Sequence, residues 1–300
     1  MLRIAWSPCY RHALPAEHRF PMAKYEFLPE QLLHQGIVAA DAFFGPSLLA
    51  EAPLLAVHTD EYWHRLRRGE LTPAEVRKTG FPWSSALVER ELVIAEGTRQ
   101  CCEFALRYGV AANIAGGTHH AYAGHGEGFC LLNDQAIAAR WLLDEARVDQ
   151  ILIVDLDVHQ GNGTAAIFAA EPRVYTFSMH GATNYPARKE KSDLDVALPD
   201  GTADTAYLKL LYATLPRLLD EVRPDVVFYL AGVDVLATDK LGKLALSIAG
   251  CFERDRFVFQ TCYGATVPVV TCMGGGYSPR LADILDAHAN TFRAMQEVWG

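Results

Sequence analysis

The 300-residue chain reads as an α/β protein, with a parallel sheet covered by helices on both faces. Three observations predict this. Short apolar runs of strand length alternate with longer segments of helical spacing. The runs are apolar throughout, as strands buried on both faces are. Four of them end in glycine, histidine, aspartate or tyrosine, at the strand ends where open parallel sheets collect their ligand sites.

The elements follow in chain order. Met1-Leu2-Arg3 begins a short strand-like segment and not a signal peptide. Residues 60–85, with Trp63, Gly69, Pro73, Gly80, Pro82 and Trp83, lack a clear period and are expected to form a lid or rim loop. A helix is expected over 86–108, then a strand, Val110–Ala115, running into Gly116-Gly117. A helix over 134–146 leads to the strand Ile151–Asp157 and a turn at Gly161. Val174–Ser178 is a strand that precedes a polar loop. Over 204–222, Tyr207, Leu210, Leu211, Leu215, Leu218, Leu219 and Val222 keep helical spacing. Pro216 inside that pattern predicts a kink or a division into two helices. Strand Asp225–Leu230 runs into Ala231-Gly232, and strand Val267–Cys272 into Gly274-Gly275-Gly276. Helices are expected over 250–262 and 280–298. The length allows one large domain or two small ones. With no repeat, low-complexity segment or linker, one domain over 1–300 is the simplest organisation.

Half of the residues are hydrophobic, enough for a large core, and the net charge is −9. No basic tract is present, which argues against a nucleic-acid surface. No apolar run approaches membrane-spanning length. The seven cysteines lack CxxC spacing and read as reduced thiols of a cytoplasmic protein.

The stretch ILIVDLDVHQGNG, 151–163, carries the most chemistry. On an extended backbone Asp155, Asp157 and His159 project from one face at the end of a buried strand. Carboxylates there are costly unless a cation or a hydrogen-bond partner meets them. With Asp234, at the end of another strand, Asp157 and His159 make a set of two oxygens and one nitrogen. Three protein ligands are typical of a catalytic zinc site, which can polarise a carbonyl and activate water. His119 and His120, after Gly116-Gly117, titrate near neutrality and suit proton transfer. Asp155 can orient one of them and raise its pKa, and Asn162 can orient the other without a charge. Tyr277, after three glycines, can donate to an oxyanion.

GGTHHA…GEGFCLLND, IVDLDVHQGNG, LAGVDVLATDKLGKLALS and MGGGYSP resemble the motifs of zinc-dependent histone deacetylases, in order and over essentially the whole chain. The HQGNG form and the AGVDVLATDKLGKLALS block are most similar to the class IV branch and its bacterial relatives. The resemblance implies a three-layer α/β/α sandwich with a mostly parallel sheet, akin to arginase. It implies Asp157, His159 and Asp234 as ligands of zinc, with ferrous iron as an alternative. His120 matches the general base and acid, His119 with Asp155 its electrostatic partner, and Tyr277 the carbonyl-polarising tyrosine. Phe129 and Tyr185 match the walls of an acyl-lysine tunnel, and Gly128 its narrow side. Asp155 and Ser178, with carbonyls of Asp157, His159 and Met179, match a structural potassium site. A second monovalent site would lie around Phe168 and Val174. Arg19 matches an arginine below the tunnel. Two departures stand out. Asn162 occupies a position where some branches carry Asp, and residues 64–85 have no obvious Asp to clamp a substrate backbone. His125 lies on the short AGHGEG loop, within reach of a substrate at the rim.

The expected function is removal of acetyl or longer acyl groups from the ε-amine of lysine, in a protein or peptide. Deacetylation of acetylpolyamines or other small amides keeps the chemistry and changes the substrate. A non-catalytic acyl-lysine binding module could dispense with Tyr277 or a metal ligand, and this chain retains all of them. Two-manganese, arginase-like hydrolysis would need further ligands that are not evident.

Overall fold

The computed structural model describes residues 1–300. In chain order it contains β1 (Arg3–Ala5), α1 (Lys24–His34), β2 (Phe43–Phe44), α2 (Glu51–Leu55), α3 (Asp60–Arg68), α4 (Pro73–Thr79), α5 (Ser85–Tyr108) and β3 (Val110–Asn113). There follow α6 (Asp134–Asp144), β4 (Ile151–Asp155), α7 (Asn162–Phe168), β5 (Val174–Gly181), β6 (Leu194–Leu198) and α8 (Asp204–Val222). The chain closes with β7 (Val226–Leu230), α9 (Ile248–Gly264), β8 (Val269–Cys272) and α10 (Leu281–Trp299).

Eight strands form one sheet in the order β2-β1-β3-β8-β7-β4-β5-β6, and every pairing is parallel. The five central strand runs were legible because both of their faces are buried. Side chains alternate across a strand, so Leu152, Val154, Val227 and Tyr229 enter one apolar core while Ile151, Ile153, Val226 and Phe228 enter the other. The first core is closed by α1, α8, α9 and α10, through Leu28, Leu211, Phe259 and Phe292 among others. The second is closed largely by α5 and α6, with Cys101, Cys102 and Leu142. The result is the expected α/β/α sandwich.

Local chemistry sets the helix ends. Ser84 caps α5, its side chain accepting from the Leu87 N–H, and Gly109 ends it in the left-handed region. Two expectations need correction. Residues 60–85 are not a lid loop but largely two short helices. Thr59 caps α3, and a reciprocal Thr72–Glu75 capping box starts α4, each closing on a left-handed glycine, Gly69 and Gly80. Short amphipathic turns with prolines between them hide the helical period. Helix α8 is also not divided at Pro216: it runs continuously from Asp204 to Val222, with the apolar face of Leu211, Leu215, Leu218 and Leu219 buried along its length.

The strands deliver their carboxyl ends to one side of the sheet. β3 leads to His119 and His120, β4 to Asp155, Asp157 and His159, β7 to Asp234 and β8 to Tyr277.

Candidate active site

Asp157, His159 and Asp234 are buried together, with ligand atoms all within 4.8 Å of one another. His159 Nδ1 lies 3.0 Å from Asp157 Oδ1 and 3.1 Å from Asp234 Oδ2. Backbone amides aim the carboxylates: Gly275 N–H donates to Asp157 Oδ2 at 2.8 Å and Val158 N–H to Asp234 Oδ1 at 2.9 Å. A Cβ at Gly275 would stand 1.9 Å from Asp234 Oδ2, so glycine is required for that approach.

The charges of this cluster are mutually dependent. Burial raises Asp234 first, with the charge of Asp157 adding to it, to about 7. Burial pulls His159 down, but hydrogen bonds and charge from both aspartates override it and lift it to about 10. Two carboxylate oxygens and one imidazole nitrogen, converging and preorganised by backbone donors, fit a divalent metal of the zinc or iron type.

The two loop histidines have different partners. His119 Nδ1 lies 2.7 Å from Asp155 Oδ2, and His120 Nδ1 2.6 Å from Asn162 Oδ1. Burial lowers both. For His119 the charges of Asp155 and Asp157 outweigh burial and hold it above the ordinary value. For His120 the neighbouring His119 and His159 add to burial and drive it well below. An amide oxygen only accepts, so His120 carries its proton on Nδ1 and turns an unprotonated Nε2 away from Asn162.

Above them lies a cleft of about 240 Å³, lined by Arg19, Lys78, His120, Gly128, Phe129, His159, Tyr185, Leu241 and Tyr277. Tyr277 stacks edge-on with His159, centroids 6.4 Å apart, and lies 5.8 Å from Phe129. Tyr185 stands perpendicular to His120 at 4.9 Å. A Cβ at Gly128, whose φ is +57°, would meet His120 at 2.7 Å, which makes this side of the cleft narrow. Asp155 and Ser178 are register partners on β4 and β5, both buried, and Ser178 Oγ lies 2.9 Å from His180 Nδ1. Phe168 and Val174 bound the loop between α7 and β5.

Arg19 is a correction. It is exposed at the mouth, its guanidinium 5.0 Å from the Phe129 ring centroid, and not below the tunnel. The buried cation beneath is Lys24, whose Nζ donates to Gly274 O at 3.0 Å under the Tyr277 ring. Burial lowers Lys24 to about 8, with Asp234 and Asp157 opposing. An apolar helix start gave no sign of that burial. His125 is half-buried and stacks on Tyr122 at 4.5 Å.

Three supporting carboxylates were missed. Asp134 accepts from Gly117 N–H (3.1 Å), Thr118 N–H (2.8 Å) and Thr98 Oγ1 (2.6 Å), and so holds the loop of His119 and His120. Asp239 accepts from Tyr277 N–H at 2.6 Å and from Leu241 N–H at 2.8 Å. Glu127 is buried at 4 % exposure beside Asn162. Each lies inside a quoted motif, as the only signal in sequence.

The sequence model for "Histone deacetylase domain" matches residues 18–292. The chain is 45 % identical to an uncharacterised protein of Picosynechococcus over 99 % of both chains. It is 30 % identical to histone deacetylase 2 of Arabidopsis thaliana, over 89 % of this chain and 72 % of that one. It is 26 % identical to the acetoin utilization protein AcuC of Staphylococcus aureus, over 87 % and 72 %. Among solved structures, an HDAC homolog complexed with SAHA superposes with a TM-score of 0.85 at 22 % identity, covering 99 % of this chain and 84 % of that one.

Proposed function

The chain belongs to the histone deacetylase family, and from that premise we propose that it is a metal-dependent lysine deacylase, 1–300 forming one catalytic domain. One observation carries the reading: His159 of the buried Asp157–His159–Asp234 donor set lines one cleft with His120 and Tyr277. Asp157, His159 and Asp234 would hold zinc, with ferrous iron as the alternative. When bound, that metal supplies Lewis acidity toward the amide carbonyl and toward water.

The chain's own groups do the rest. His120 Nε2 takes the proton of the attacking water and later returns it to the leaving amine. His119, kept protonated by Asp155, adds positive charge beside the developing negative charge. Tyr277, whose phenol burial holds well above its ordinary pKa, remains a donor and meets the oxyanion. Phe129, Tyr185 and Gly128 shape a slot for an extended acyl-alkyl chain.

The register pair Asp155 and Ser178 supports a structural potassium ion beside the site, and the HQGNG form supports placement near class IV. Seven free cysteines, six of them buried, support a cytoplasmic setting. No helix is long and apolar enough to cross a membrane. The mouth favours acyl-lysine over acetylpolyamines: Arg19 and Lys78 line it together with Leu241, and no lining residue is Asp or Glu. Lys78 is paired with Glu127, so Arg19 is the lining cation left to repel a polycation.

The test is deacylation of lysine peptides carrying acetyl through long-chain acyl groups, and of acetylpolyamines, by zinc-loaded and chelator-stripped protein. Metal-dependent release from the peptides, with acetylpolyamines slower, is expected. No release from any peptide by protein holding one zinc per chain would overturn the lysine deacylase reading.

A further inference from the structure

Asn162 is a neutral partner for His120, but it is not the end of the chain of contacts. Its Nδ2 donates to Glu127 Oε1 at 2.7 Å and to Tyr122 Oη at 3.1 Å. The same Glu127 Oε1 accepts from the Tyr185 hydroxyl at 2.7 Å. The other oxygen, Oε2, meets Lys78 Nζ at 2.5 Å and lies 3.5 Å from His125 Nε2. Burial opposes the charge of Glu127, but Lys78, Tyr185 and Asn162 outweigh it and hold the carboxyl below its ordinary pKa. The carboxylate sits between two parts of the site, the proton-handling pair and the tunnel wall.

A carboxylate only accepts hydrogen bonds, whereas a primary amide presents a donor at one end and an acceptor at the other. Whichever end of Asn162 faces Glu127 must be its NH₂. The oxygen then faces His120, and His120 must carry its proton on Nδ1. Without Glu127 the amide can reverse. Its NH₂ would then face His120 Nδ1, which must accept, and the ring proton would move to Nε2, the nitrogen that has to take a proton from water. Tyr122 does not prevent this, because a hydroxyl both donates and accepts.

We propose that Glu127 is a positioning residue for the reaction: by fixing the amide of Asn162 it dictates the tautomer of His120, and by holding the Tyr185 hydroxyl it sets the tunnel wall against the same histidine. The inference rests on the deacylase reading for its kinetic consequence, but not for its tautomeric one. Glu127 touches no reacting atom. It acts through Asn162 and Tyr185, and it links them to α4 through Lys78. Backbone bonds make the same join, Gly128 N–H to Lys78 O at 3.0 Å and Phe129 N–H to Thr79 O at 2.7 Å.

The test uses two variants of the full chain. Glu127→Gln keeps an acceptor for Asn162 and Tyr185 and removes the charge. Glu127→Leu keeps the volume and removes the acceptor. The ring of His120 is read by ¹H–¹⁵N correlation in metal-free and zinc-loaded protein, assigned with His120→Gln. Wild type and Glu127→Gln should show Nδ1–H, and Glu127→Leu a population of Nε2–H. In deacylation, Glu127→Leu should lose roughly 10²-fold or more in kcat, the scale of a general base withheld. Glu127→Gln should stay within about tenfold of wild type, and zinc content should be unchanged in both. An Nε2–H ring in wild type overturns the inference even if Glu127→Leu fails to fold. So does an unchanged tautomer with kcat within about threefold in Glu127→Leu, or an equal loss in both variants, which would assign the effect to charge alone. If wild type holds zinc and releases nothing, the deacylase reading fails while the ring spectra still decide the role of Glu127.

Discussion

His119 and His120 are neighbours in sequence with rings 4.1 Å apart, yet their surroundings drive them in opposite directions. Burial lowers both, but His119 faces the charges of Asp155 and Asp157, whereas His120 faces the rings of His119 and His159 and only the neutral amide of Asn162. His120→Ala should therefore retain metal, measured by elemental analysis, and lose about 10²–10⁴ in kcat, the range for a withheld general base. Tyr277→Phe should retain metal and lose about 10²–10³, the range for an oxyanion donor. Retained turnover in either variant would refute the assigned roles. Glycine is equally specific at this scale. Because a Cβ at Gly275 would lie 1.9 Å from Asp234 Oδ2, Gly275→Ala should displace that carboxylate. Zinc affinity should fall by more than tenfold in competition with a chromophoric chelator while the fold is kept. These residues were legible in the sequence because each follows an apolar strand run. Lys24, Asp134, Asp239 and Glu127 were not, because nothing in their neighbours along the chain indicates which distant amide or ring they meet.

Among the elements, the strands were legible from their two buried faces, whereas the edge strands β2 and β6 were not. β2 is two residues long and β6 alternates partly exposed positions, so neither shows an apolar run. Helices α3 and α4 were hidden for a related reason, since short helices hold few turns of their period. One helix does more than cover the sheet. Arg254 on α9 is fully buried, donates to Leu156 O at 3.1 Å and to Gly232 O at 2.7 Å, and pairs with Asp255 at 2.8 Å. Those carbonyls lie one residue before Asp157 and two before Asp234. A single guanidinium thus fastens both strand ends that carry the candidate metal donors. Arg254→Met leaves Asp255 buried with only the hydroxyls of Tyr229 and Thr291 as partners. Removing one member of a buried pair costs about 3–5 kcal/mol, and urea unfolding should show a loss of that order. A loss below about 1 kcal/mol would mean that the pair contributes little to holding the two ends.

At the scale of the whole molecule, several histidines are buried in their neutral form, and this sets its response to acid. Burial lowers His58 to about 4, with backbone hydrogen bonds from the 122–123 turn opposing. It lowers His180 likewise to about 4, and His288 well below the ordinary value, where Lys24 and Arg254 add to the effect. Such a group binds fewer protons folded than unfolded between its folded pKa and about 6.5. Its contribution is complete above pH 6.5 and is lost progressively as pH falls toward 4, so folding stability should decline across that window. Asp234, raised to about 7, acts in the other direction between pH 7 and 4, so the decisive quantity is a difference between variants with zinc loaded in both. His288 on α10 is suited to this, because both ring nitrogens are buried without a hydrogen-bond partner. Leucine is close to it in volume and leaves no polar atom unpaired. His288→Leu should equal or exceed wild-type stability at pH 7.5, and its advantage should grow as pH is lowered to 5, measured by urea unfolding at each pH. A variant less stable at pH 7.5, with the gap to wild type unchanged at pH 5, would show that folding does not lower the His288 pKa and would remove it from the acid response.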